Sequence, residues 1–419
     1  MAHFAFIAPP LAGHWNPMAA LAGELIARGH QASVVAIPGA KSMLRDPRIG
    51  VIGVGAAQPT LLAEVTARLA GQQGLRGLPT VLADMRRQFA LLCADLPDAL
   101  RAAGIDALVI DQLEPAGGLV ARHLGLPYLS VANALPINRD PAVPPPFTGW
   151  SNHPGPLGRW RNRGGYRVND LLLSGLGADI SRQAAAWGLT ARSLEDCLSP
   201  TAQIAQTVTA FDFPRLAPST TLHQLGPLRP PAPATTQPDL PTGDGPLLFA
   251  SLGTLQGGRA DIFAAIAQAA TQLGARLIIA HGGRLPPAAI AALPPDVMLR
   301  DFVDQRALLP HVHAVIGHAG LNTTMDSLAA GKPLVVIPFA FEQGAIAARL
   351  VRSGAGLRVA PGPVLARRLT TATRAILLDQ GFTRSAQTLA TAISQAGGLS
   401  AAADIAEALL AQSSLSSAA

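Results

Sequence analysis

With 419 residues, 49% of them apolar and only 14% charged, the chain can fill the cores of two globular domains and is too apolar to be disordered. Gly, Pro or charge interrupts every apolar run before the roughly 18 residues that a bilayer demands, so no membrane span is predicted. The net charge of +6 comes mainly from scattered arginines such as Arg159, Arg161, Arg163 and Arg167, read as a solvated face. Without interleaved aromatics this pattern speaks against nucleic acid, but it leaves contact with anionic lipid headgroups or a phosphorylated ligand open.

The chain opens on Met1-Ala2-His3-Phe4-Ala5, with no basic leader and with Pro9-Pro10 too early for a signal-peptide core. A cytoplasmic protein is therefore expected, with any membrane contact at the inner face. From there, β-type runs alternate with helical patterns: His3 to Ala8, a helix from Pro17 to Arg28, Ala32 to Ile37 and Val51 to Val54. Ala107 to Asp111, a helix from Glu114 to His123 and Tyr128 to Val131 follow. Cys93 and Cys197 match neither a disulfide framework nor a metal-ligand spacing and read as core thiols.

Next come an irregular stretch, Pro136 to Gly165, and helical patterns to about Leu198. A Pro-rich linker over 225–246 separates an N-terminal domain, 1–224, from a second α/β series over 247–396. There, strands are predicted at Leu247 to Ser251, Arg276 to Ala280, Val297 to Leu299, Ala314 to Ile316, Leu334 to Ile337 and Leu357 to Val359. Helices are predicted at Asp261 to Leu273, Thr323 to Ala330 and Gly344 to Arg352. Residues 397–419 are expected to form a helix and tail that pack back on the first domain. The fold class is α/β, two Rossmann-like doubly wound domains facing a cleft, with ligands at the carboxyl ends of the strands.

The densest cluster of polar residues in such positions is Asp301-Phe302-Val303-Asp304-Gln305, then His318-Ala319-Gly320-Leu321-Asn322-Thr323-Thr324-Met325-Asp326, then Phe341-Glu342-Gln343. A helix opening near Asn322 presents free amides and a positive dipole end, which suit a diphosphate. His318, Asn322 and Thr323 add side-chain donors. Ser251, Gly253 and Thr254, just after another strand, give a second close approach to phosphate.

The order and spacing of these motifs resemble the donor-binding signature of the UDP-glycosyltransferase superfamily. The resemblance implies the GT-B fold, with Phe302 beside the uracil and the Val303 backbone and Gln305 nearby. It further implies His318, Gly320, Asn322 and Thr323 at the phosphates, Asp326 at the ribose, and Glu342 with Gln343 at the sugar hydroxyls. The chain departs from the pattern at Phe302, where the family often has Trp, at Ala319, commonly a second Gly, and at Asp326, often Glu. These departures leave uridine and thymidine diphosphates both open.

In the first domain, His14 follows the first strand and Asp111 ends the strand beginning at Ala107, so both are predicted on one sheet edge. A histidine facing the cleft can deprotonate an acceptor hydroxyl, and a carboxylate beside it fixes its tautomer. Residues at matching places in the family serve as base and orienting acid. No Asp-x-Asp occurs, so a metal site of that type is not expected and no cofactor is predicted beyond the nucleotide sugar as co-substrate.

Ala8-Pro9-Pro10, Asp111 to Gly117, Leu135 to Arg139, Phe211 to Arg215 and Phe249 to Gly257 are similar to the branch of that superfamily that glucosylates xanthophylls. This implies transfer of glucose from UDP-glucose to a terminal-ring hydroxyl of a carotenoid such as zeaxanthin, with inversion to β-glucosides. An apolar groove between Leu113 and Leu216 would suit such an acceptor. Another apolar alcohol of sterol, macrolide or polyketide type, a UDP-sugar epimerase, and a non-catalytic nucleotide-sugar binder stay open as alternatives.

Overall fold

The computed structural model describes residues 1–70, 77–217, 219–230 and 238–416, so residues 231–237 of the predicted linker and the last three of the predicted tail lie outside it. The first lobe holds β1 (His3–Ile7), α1 (Ala12–Ala27), β2 (Gln31–Ala36), β3 (Gly50–Gly53), α2 (Leu61–Ala70), α3 (Leu78–Ala103), β4 (Ala107–Asp111), α4 (Pro115–Leu124) and β5 (Tyr128–Ala132). It continues with α5 (Pro156–Leu172), α6 (Ser174–Ala186), β6 (Gln203–Ala205) and β7 (Leu222–Gln224). These strands form one parallel sheet in the order β3-β2-β1-β4-β5-β6-β7. β4 and β5 are buried along their whole length, as strands covered by helices on both faces must be, and their near-continuous apolar sequences follow from that.

The second lobe holds β8 (Leu247–Ser251), α7 (Gly253–Gln256), α8 (Ala260–Gln272), β9 (Arg276–Ala280), α9 (Pro287–Ala291), β10 (Met298–Arg300), α10 (Gln305–Leu308) and β11 (Ala314–Gly317). It ends with α11 (Leu321–Ala329), β12 (Leu334–Val336), α12 (Gln343–Arg352), β13 (Gly356–Arg358), α13 (Leu365–Leu378), α14 (Gln380–Gln395) and α15 (Gly398–Ser416). Its sheet is also parallel, in the order β10-β9-β8-β11-β12-β13. Both sheets therefore reverse their winding beside their own first strand, between β1 and β4 and between β8 and β11. Crevices open at those reversals, at the carboxyl ends of the strands.

The lobes are tied together in two further ways. α15 returns to the first lobe, where Leu399, Ala402, Ala403, Ala406 and Leu409 enter its core and Arg28 of α1 pairs with Asp404 and Glu407 at 2.6 and 2.9 Å. Conversely, Leu135, Val208 and Phe211 of the first lobe pack into the core of the second. Among the described residues, no helix is long and apolar enough to cross a membrane. Cys93 and Cys197 are both buried free thiols, and burial pushes each up to about 12.

Several elements differ from the sequence expectation in ways that bear on the site. α1 begins at Ala12, five residues before the proline taken as its start, so His14 lies on the first helical turn and not in a loop. Pro17 sits inside that helix and cannot donate to the carbonyl of Gly13 four residues earlier. Asn322 of the second lobe donates to that carbonyl instead, at 2.8 Å. The stretch read as irregular to Gly165 is helical from Pro156, with proline at the helix start, where its missing N–H costs nothing. Its glycines serve close packing: a Cβ on Gly165 would meet Trp150 and Pro145 at 2.9 and 3.0 Å. Finally, α2 and α3 fill a region to which no element was assigned, and β6 and β7 are three-residue strands too short to leave a pattern.

Candidate active site

A cavity of about 490 Å³ lies between the lobes. It is lined by His14, Gly253, Thr254, Gln305, His318, Gly320, Asn322, Thr323, Glu342 and Gln343, so ten of the fifteen residues singled out from the sequence meet in one space. Leu62, Val65, Leu69, Val81, Met85, Phe89 and Leu113 form an apolar wall on the first-lobe side. A second cavity of about 450 Å³, under α5, shares Met85, Leu113 and Glu342 with the first and so adjoins it.

His14 and Asp111 sit at the reversal of the first sheet. His14 Nδ1 and Asp111 Oδ2 are 2.7 Å apart, which leaves Nε2 as the free ring nitrogen of a residue lining the cavity. Asp111 is only 1% exposed and is itself held by Asn133 Nδ2 at 2.7 Å and by the Leu113 amide at 2.8 Å. Its place behind the histidine explains why it does not line the cavity. Burial lowers the imidazole pKa, but the Asp111 carboxylate, by charge and hydrogen bond, and Glu342 more weakly, override this and leave it above 6.5. A base must be neutral to accept a proton, so activity should rise with pH through that elevated value. The acid limb of the kcat/KM profile is expected above pH 6.5, and Asp111→Asn is expected to move it to lower pH; an unmoved limb would detach this pair from the rate.

The Asp111 anchor belongs to a longer row. Gln206 Nε2 donates to Asn133 Oδ1 at 3.0 Å, Arg229 Nη1 donates to Gln206 Oε1 at 3.1 Å, and Arg229 Nε lies 3.2 Å from Asp326 Oδ1. His14, Asp111, Asn133 and Gln206 stand at or just past the carboxyl ends of β1, β4, β5 and β6, four neighbouring strands, so the sheet order itself lines them up. Sequence reading missed Asn133, Gln206 and Arg229. For Asn133 and Gln206 the available signal was position alone, a polar side chain directly after a buried strand; Arg229, beyond the end of β7, had no such signal.

On the facing lobe, the start of α11 presents its first amides beside His318 at the second reversal. The His318 ring is wedged between glycines: a Cβ on Gly320 would come within 2.6 Å of it, and one on Gly253 within 2.9 Å. Burial, partly offset by the Ser251 backbone, lowers the His318 pKa to about 4, so the ring is neutral before any anion arrives. As a neutral ring it can donate one N–H to a phosphate oxygen, and its Nδ1 has no hydrogen-bond partner among the described residues. Ala319, in the family's usual glycine position, has φ 65, a left-handed conformation that is costly for a side chain and is held in place by the turn around it.

The remaining predicted residues are placed less simply. Gln343 Oε1 accepts from the amides of Phe339 and Ala340 at 2.9 and 3.0 Å, so only its NH₂ is left for a ligand. Burial raises the carboxyl pKa of Glu342 in the cavity wall. Asp326 is ion-paired to Arg229, and Phe302 is 60% exposed. Ser251, Phe302, Val303 and Asp326, predicted at the donor, are not among the residues that line the cavity. Glu114, unpredicted, does line it; burial and then Asp111 raise its carboxyl pKa well above the usual range, and Gln88 donates to it. A buried carboxyl beside an amide thus interrupts the apolar wall, where Thr66 and Asp84 also face the cavity.

Comparison with known proteins places the chain in a family and a fold. Residues 264–408 match the family described as erythromycin biosynthesis protein CIII-like, C-terminal domain. The chain is 36% identical to the zeaxanthin glucosyltransferase of Pantoea ananas, covering 97% of this chain and 96% of the relative. It is 38% identical to the zeaxanthin glucosyltransferase of Pseudescherichia vulneris, covering 99% of each. Among solved structures, the glycotransferase of kitacinnamycin superposes with a TM-score of 0.76 at 19% identity, over 98% of this chain and 99% of that one. The calicheamicin glycosyltransferase does so at 0.71 and 22%, over the same shares. These neighbours show the GT-B fold.

Proposed function

The chain belongs to the UDP-glycosyltransferase superfamily and is a glycosyltransferase, and on that premise we propose that it moves glucose from UDP-glucose to a terminal-ring hydroxyl of a xanthophyll such as zeaxanthin. The observation that carries this reading is the meeting of His14 and the α11 start across one cavity, close enough for Asn322 to bond the backbone of Gly13, with an apolar wall beside them. His14 Nε2 takes the proton of the acceptor hydroxyl, and the oxygen attacks the anomeric carbon. The bond from that carbon to the diphosphate breaks on the opposite side, so an α-linked donor yields a β-glucoside. His318, Asn322, Thr323 and the α11 amides receive the charge that collects on the departing UDP. No residue in this scheme calls for a metal.

The two adjoining cavities suit an acceptor that is long and apolar with a hydroxyl at its tip. In this reading Glu114 and Gln88 give that tip its polar contacts. The enzyme works in the cytoplasm, in peripheral contact with the membrane in which such an acceptor dissolves. Purified protein given UDP-glucose and zeaxanthin in detergent micelles is expected to release UDP in step with mono- and diglucosides, followed by mass spectrometry, with the β configuration shown by the anomeric proton coupling. No turnover with any xanthophyll would remove the acceptor assignment, and an α product would remove the inverting one.

A further inference from the structure

α5 is built inside out. Its buried face consists of Gly158, Asn162, Gly165 and Tyr166, whereas its outer face carries Leu157, Trp160, Val168 and Leu171, which are 84%, 76%, 55% and 74% exposed. Leu157, Trp160, Val168 and Leu171, with Gly164 between Trp160 and Val168, fall at intervals of three or four residues, so the four apolar side chains form one stripe along the helix. Arg163 and Arg167 flank it, both exposed and without an ion-pair partner among the described residues. The nearest acids on this side do not neutralise them: Asp170 and Glu195 are both engaged by Arg139.

A stripe of leucine and tryptophan edged by free arginines is the pattern of a helix lying in a membrane interface, where the apolar side chains enter the acyl region and the guanidiniums meet phosphates. The other side of the same helix faces the cavity that adjoins the catalytic one: Tyr166, Asn169 and Asp170 line it, with Phe147 and Leu173 beside them. We propose that α5 docks on an anionic lipid surface, with Leu157, Trp160, Val168 and Leu171 inserted and Arg163 and Arg167 at the headgroup phosphates, so that an apolar acceptor passes from the bilayer into the cavity under that helix. The inference rests on the xanthophyll reading for its purpose, but its test uses vesicles that contain no acceptor, so the two can fail separately.

Full-length protein is sedimented with vesicles of phosphatidylglycerol and phosphatidylcholine, and with vesicles of phosphatidylcholine alone. Binding is expected to the anionic vesicles, with a blue shift of tryptophan emission, and to weaken as salt is raised. Arg163→Ala with Arg167→Ala should weaken it by on the order of tenfold or more, and Leu157→Ser with Trp160→Ser should abolish it along with the blue shift. Both variants should keep the wild-type melting temperature and full turnover of detergent-solubilised acceptor. Absence of wild-type binding to anionic vesicles, or equal binding by the variants, would overturn the proposal. So would a wild-type dimer that Trp160→Ser converts to monomer without any vesicle binding, since the stripe would then belong to a second copy.

Discussion

His14→Ala is expected to lower kcat by about 10³-fold while leaving the affinity for UDP within about twofold of wild type. The two halves of this outcome follow from where the residue sits. His14 belongs to the first lobe and meets Asp111 at 2.7 Å, whereas the proposed diphosphate contacts belong to the second. Removing the imidazole leaves Asp111 with Asn133 and the Leu113 amide, so the carboxylate keeps two of its three partners and the sheet edge is not disrupted. Steady-state rates with both substrates varied, together with calorimetric titration of UDP, would show both effects. An unchanged kcat would rule out His14 as the base and return weight to a site that binds a nucleotide sugar without transferring it.

The largest effect on stability is expected from Arg349→Ala, at about 3 to 5 kcal/mol, which lowers the melting temperature by on the order of 10 °C. Arg349 on α12 is 1% exposed and its Nε lies 2.7 Å from Oδ1 of Asp212, a first-lobe residue 2% exposed. Its guanidinium also stacks 4.4 Å from the centre of the Phe213 ring. Without it, a buried carboxylate keeps Gln224 and the more distant Arg215 but loses its principal counter-charge. Asp212→Asn combined with Arg349→Met should be less destabilised than Arg349→Ala, because no orphaned charge remains. Burial raises the Asp212 carboxyl pKa, but Arg349 and then Arg215 override this and hold it below the ordinary value. A carboxyl depressed on folding stabilises above its unfolded pKa, about 4, and that contribution disappears as pH falls through the folded value. Urea midpoints measured from pH 7 down to pH 3 should therefore drop more steeply for wild type than for Arg349→Ala.

The strands that carry the site could be read in advance because a buried parallel strand leaves an uninterrupted apolar run: β4 was delimited without error and β8 likewise. Gly253, His318 and Asn322 each follow such a run at a turn, which made them candidates that the family resemblance then strengthened. Other features depend on partners far away in the chain. Asn133 and Gln206 are 73 residues apart, and what gives them meaning is the adjacency of β5 and β6, which no local pattern records. The early start of α1 escaped for the same reason. Pro17 reads as a helix opener unless the carbonyl it leaves free has another donor, and that donor, Asn322, is 309 residues from Gly13. The engagement of Asp326 by Arg229 gives a partner within the chain to a carboxylate for which the family resemblance implied a ribose.

The row of polar side chains from Arg229 to His14 has only one permitted sense. A guanidinium carries no acceptor, so Gln206 must turn its oxygen toward Arg229 and its NH₂ toward Asn133, which in turn must point its NH₂ at Asp111. Neither amide can flip without setting two like groups against each other. The arginine thus acts as a ratchet for its neighbours: the dipoles of both amides point their positive ends toward the carboxylate that steadies the imidazole, and the handedness of that alignment is decided in the segment that leads toward the other lobe.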